Sequence, residues 1–107
     1  MTTPYCVAFI TCSNQKEAQK ISQTLLKKKL AACVNTVPKV FSRYWWKGKI
    51  ENASESLLVI KTTKALLPKT IREIKSVHSY TVPEIIALPI IDGNSDYLNW
   101  IEESIGQ

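Results

Sequence analysis

Residues 31–63 constrain this chain more than any other stretch. β-Branched and aromatic residues fill "ACVNTVPKVFSRYWW", a second β-rich run reads "IENASESLLVIKTT", and "KGK" with Gly48 supplies a turn between them. Residues 31–46 and 50–63 are therefore expected to form a long antiparallel hairpin. Pro38 lacks the N–H that a ladder needs, so the first arm must bulge, bend or lie at a sheet edge there. Such a place suits a subunit contact.

The flanking segments fix the order of elements. "YCVAFIT" (5–11) reads as a short strand, and Ser13 and Asn14 stand where the cap of a following helix belongs. Ala18, Ile21, Leu25, Leu26 and Leu30 recur at helical spacing as one buried stripe, with Lys16, Lys20, Gln23 and Lys27 on the other side. After the hairpin, "ALLPKTIREIKSVHS" aligns Leu67, Ile71, Ile74 and His78 on a second helix, which Pro68 permits only in its first turn. "EIIALPI" is a buried strand, and "SDYLNWIEESI" is a last helix capped by Ser95. The order βαββαβ with an appended helix predicts an α+β, ferredoxin-like sandwich whose two helices share one sheet face. "LLVI" (57–60) and "IIALPI" (85–90) are apolar on both faces, so the uncovered face requires either other subunits or the last helix.

At 107 residues the chain is expected to be one domain, 1–107. Its net charge of +5 permits contact with nucleic acid or an anionic membrane, but the longest basic run, Lys27-Lys28-Lys29, sits at a helix end whose dipole favours it. Neither nucleic acid nor membrane is expected as a partner. Three cysteines without a CxxC pair argue against a disulfide framework and a zinc ribbon and fit a reducing compartment. "MTTPYCVAFITCSN" has no basic leader region, so neither signal peptide nor anchor is expected, and the expected location is cytoplasmic.

The same order of elements hosts unrelated functions, and the side chains must choose among them. The strand "ENASESLLVIK" lacks the stacking aromatics of an RNA-recognition domain, and "TCSNQ" lacks the second cysteine of a soft-metal loop. The arginines, Arg43 and Arg72, lie far from that loop, against a phosphate cradle. His78 and Glu84 remain. They suit copper or zinc as ligands, or else His78 caps its helix and Glu84 pairs with a lysine. No nucleophile elbow or Gly-rich loop accompanies them, so no enzyme is expected. Cys6 and Cys33 read as small core residues, whereas Cys12, at a strand-to-helix junction, is a candidate reactive thiol. Tyr44, Trp45 and Trp46 among Arg43, Lys47 and Lys49 could stack on single-stranded nucleic acid or form a subunit interface. Strand alternation sends Tyr44 and Trp46 to the face opposite Trp45, which favours the interface.

"LAACVN" (30–35), Pro38, "SRYWWKGKIE" (42–51), Glu55, "IKTT" (60–63), "HSYTVPEIIALPI" (78–90) and "GNSDYLNWI" (93–101) together resemble the CutA family of divalent-cation tolerance proteins. The resemblance implies a ferredoxin-like subunit in a homotrimer similar to the PII signalling proteins, binding copper(II) or another divalent cation without catalysis. A PII-like interaction scaffold or small-ligand-binding signalling protein is its alternative. Of the family stretch His-Pro-Tyr-x-x-Pro-Glu, His78, Tyr80, Pro83 and Glu84 are present, and Ser79 replaces the first proline, which should loosen the turn. Val77 stands where some members have a second histidine, and Ile10 near where some have a cysteine. His78 and Glu84 are thereby the expected metal ligands. Cys33, Tyr44, Trp46, Lys61, Tyr80 and Trp100 are expected at an inter-subunit cleft or interface.

Overall fold

The computed structural model describes residues 3–106. They form β1 (Tyr5–Cys12), α1 (Gln15–Lys27), β2 (Cys33–Trp46), β3 (Lys49–Thr63), a single 3-10 turn (Lys64–Leu66), α2 (Leu67–Val77), β4 (Ile85–Pro89) and α3 (Ser95–Ser104). The strands lie in the order β2-β3-β1-β4, each antiparallel to its neighbours. This is the ferredoxin-like sandwich that the sequence predicts, and Pro68 does lie in the first turn of α2.

Period-two alternation divides the sheet. Ala8, Ile10 and Cys12 of β1 and Leu58 and Ile60 of β3 face α1 and α2, where they pack with Ala18, Ile21, Leu25 and Ile74. Both helices therefore cover the same face. Asn14 starts α1 by accepting a bond from the Glu17 amide at 2.8 Å. Its other end closes on Lys29, whose left-handed backbone (φ 55°) lets the Leu30 amide donate to Leu25 O at 2.8 Å and returns Leu30 to the core. Leu26 departs from the predicted stripe and is 43% exposed, because one residue past Leu25 lies about 100° around the helix from the buried face.

The opposite face is only partly covered. Leu98 and Ile101 of α3 pack on Tyr5, Ala32 and Ile90 at one end, while Ile86 and Leu88 of β4 and Val37 of β2 remain exposed. Among the described residues no helix is long and apolar enough to cross a membrane.

β2 and β3 run on beyond the helices and draw the molecule out to 44 × 29 × 23 Å. Lys47 (φ 51°) and Gly48 (φ 79°) make a two-residue turn with left-handed backbone at both positions, which glycine accepts readily at the second. Three steps on β2, from Val37 to Val40, oppose two on β3, from Leu57 to Glu55. The extra residue is a bulge at Pro38, on an edge strand, as the missing N–H requires.

Candidate functional site

The turn after β1 and the turn after α2 meet at His78. Its backbone closes α2 by donating to Ile74 O at 2.9 Å, and its side chain is fully buried, at 0% exposure. Nδ1 lies 3.0 Å from the Tyr80 amide, which can only donate, so Nε2 carries the proton and donates to Thr11 O at 2.8 Å. With both ring nitrogens held by backbone, the 4.0 Å approach of Nδ1 to Glu17 is not an ion pair. Metal ligation through Nδ1 requires release of the Tyr80 amide.

Glu17 ties the two turns together. Oε1 accepts from the Ser13 amide at 2.9 Å and its hydroxyl at 3.0 Å, and Oε2 accepts from the Ser79 amide at 2.7 Å. Ser79, expected to loosen this turn, thus fastens it with an N–H that proline cannot supply. Burial pushes the Glu17 carboxyl up, but these hydrogen bonds outweigh it and hold the group at about 2. Its ionised form consequently stabilises the fold. The contribution is complete above the ordinary value of 4.5 and is lost as pH falls from there through about 2. In Glu17→Gln, the loss of unfolding free energy between pH 5 and pH 2, followed by urea titration, should shrink by on the order of 2–3 kcal/mol. An unchanged pH slope would show that these bonds do not hold the carboxylate.

Cys12, Glu17 and His78 place ligand-type atoms within 4.8 Å of one another. They do not fit a metal ion. The imidazole and both carboxylate oxygens are engaged, and burial, with Glu17 and Glu55 nearby, pushes the Cys12 thiol up to about 12. That also corrects the expectation of a reactive Cys12, since desolvation and negative neighbours outweigh the helix amides.

Beside this cluster, and over the partly covered sheet face, lies a cleft of about 700 Å³. Tyr44, Trp46, Tyr80, Glu55 and Glu84 line it, with Arg43 at the wall. The Tyr80 hydroxyl donates to Glu55 Oε2 at 2.7 Å; burial first, and this bond second, raise the phenol above its ordinary range. The cleft gathers four of the residues predicted from sequence, Tyr44, Trp46, Tyr80 and Glu84, while His78 lies behind it. Glu84 is exposed and, among the described residues, forms no ion pair with a lysine. The remaining predicted residues sit toward the other end of the sheet. Cys33 pairs with Lys61 across the ladder, Lys61 donates to Asn35, and Trp100 packs on Tyr97 with ring centroids 5.5 Å apart. Cys33 is half-buried there, not in the core. Glu55 was not among the predicted cleft residues. Its signal was the strand period of two, which puts Glu55 on the face of Leu57 and Val59.

The family model described as "CutA1 divalent ion tolerance protein" matches residues 6–104. "Protein CutA" of Mus musculus is 49% identical over 96 residues, covering 90% of this chain and 54% of its own length. The chain thus spans about half of that relative. "Divalent-cation tolerance protein CutA" of Thermus thermophilus is 45% identical over 100 residues, 94% of this chain and 97% of that protein. The crystal structure of CutA1 from Oryza sativa superposes with a TM-score of 0.92 at 44% identity, covering 96% of this chain and 94% of that one.

Proposed function

The chain belongs to the CutA1 divalent ion tolerance protein family, and on that premise we propose that it is a cytoplasmic, non-catalytic homotrimer that binds a divalent cation, copper(II) among them, in the response to metal ions. The observation that carries the assembly is the apolar surface left bare on the sheet and hairpin. Phe41 is 83% exposed and Trp45 is 72% exposed, with Ile50 beside Trp45 across the ribbon. Patches of this kind mark interaction surfaces. A symmetric copy of the same chain is the simplest cover, and three copies are what the family resemblance implies.

For the cation, Glu84 supplies the accessible carboxylate at the cleft, and His78 supplies its nitrogen only once its ring leaves the Tyr80 amide and turns toward the cleft. Affinity is weak, because ligation costs the bond from the Tyr80 amide. Isothermal titration with copper(II) should give a weak isotherm that falls in both His78→Ala and Glu84→Gln. Unchanged binding in both variants removes the two residues as ligands.

The fully bonded imidazole favours a second reading, a PII-like trimeric scaffold or small-ligand protein without physiological metal. Under it, sedimentation of the wild type still gives a trimer, and copper(II) gives no specific isotherm.

A further inference from the structure

We infer that the cleft between Tyr80, Glu55 and Trp46 is a binding site for a primary ammonium ion carrying an aromatic or apolar body. The inference uses the cleft described above and does not depend on the metal reading. Glu55 is 8% exposed, and among the described residues the one hydrogen bond its carboxylate accepts is the one Tyr80 donates to Oε2. Among the described residues, neither Glu55 nor Glu84 has an ion-pair partner. Arg43, the cation in the wall, donates its Nε–H to Asn52 at 2.9 Å and bridges to neither carboxylate. A nearly buried carboxylate that lines a cleft and is bonded by no cationic side chain of its own chain is short of a charged donor, which an ammonium group supplies.

The walls say what else the ligand carries. Tyr44, Trp46 and Tyr80 present rings and Val82 an aliphatic side chain around about 700 Å³, a volume within the usual range for small organic ligands. A bare inorganic ion would use little of that space and none of its apolar lining. An ammonium group attracts ring faces, and its carbon body gains by leaving water. Two glutamates against one arginine also leave the lining net negative, which disfavours a carboxylate or phosphate ligand.

The test uses 2-phenylethylamine as probe on the oligomer of this 107-residue chain, in EDTA at pH 7.5, by isothermal titration and tryptophan fluorescence. The amine should bind in preference to neutral 2-phenylethanol and to anionic 3-phenylpropionate. Glu55→Gln keeps an oxygen for the Tyr80 hydroxyl but removes the charge, and should weaken binding about 10- to 100-fold. Trp46→Leu should weaken it about fivefold. Glu84→Gln offers a second charge deletion if the Glu55→Gln variant does not fold, and sedimentation checks that each variant keeps its assembly. Equal binding of the alcohol, tighter binding of the anion, or unchanged affinity on removing Glu55 or Glu84 charge overturns the inference. Because metal is chelated throughout, failure here leaves the copper titration to be judged on its own, and the converse holds.

Discussion

His78→Ala is expected to lower the unfolding free energy by about 3–4 kcal/mol, more than most single substitutions in a domain of this size. Removing the ring leaves a cavity where a side chain had no solvent exposure. It also leaves the Thr11 carbonyl and the Tyr80 amide without the partners that bond them at 2.8 and 3.0 Å. An abandoned buried polar group costs about 1–3 kcal/mol. Thermal melts at one fixed chain concentration should fall by more than about 10 °C. A melt within a degree or two of the wild type would mean that the imidazole holds nothing together. The result also bears on metal binding. A His78→Ala protein that loses both copper(II) affinity and stability does not identify His78 as a ligand, and Glu84→Gln, on an exposed side chain, decides the matter instead.

The second large effect concerns assembly. Phe41→Asp combined with Trp45→Asp should convert the proposed trimer into a folded monomer at micromolar concentration in sedimentation velocity. Phe41 pairs with Ser54, and Trp45 with Ile50, on one face of the ribbon, while Tyr44 and Trp46 project from the other. Burying such a ring contributes on the order of 3–5 kcal/mol per subunit, and a buried unpaired aspartate adds a further penalty. The core around Ile10, Ile21 and Leu58 is untouched, so far-ultraviolet circular dichroism should be preserved. A double variant that sediments like the wild type would show that this ribbon face is not in the interface.

Much of this fold is legible in the sequence, because local rules and global packing agree. The stripe of Ala18, Ile21 and Leu25 admits one helix orientation, Gly48 fits a two-residue turn, and Pro38 announces the bulge by what it cannot donate. Leu26 lies about 100° around α1 from the buried Leu25, and Cys33 is half-buried where it opens the edge strand β2. Periodicity says which side of an element is apolar but not where its cover ends. The site is less legible still. His78 and Glu84 lie six positions apart and look like a pair, yet one is buried between two turns and the other lines an open cleft. Their separation follows from the meeting of the β1–α1 and α2–β4 turns, a long-range contact that spacing along the chain does not encode. Ser79 shows the limit most clearly. Its residue type gives no hint that its amide fastens Glu17 from 62 positions away.

The bulge at Pro38 has a consequence for the shape of any assembly. β2 lies at the sheet edge, and an unbroken edge of 14 residues would offer backbone groups to copy after copy in an endless ladder. The register shift between Val37 and Val40 splits that edge into two shorter runs, with a proline between them that donates nothing. A neighbour can be received on one run without the ladder extending in register along the other. The same irregularity that interrupts the ladder thus favours a closed ring over a filament.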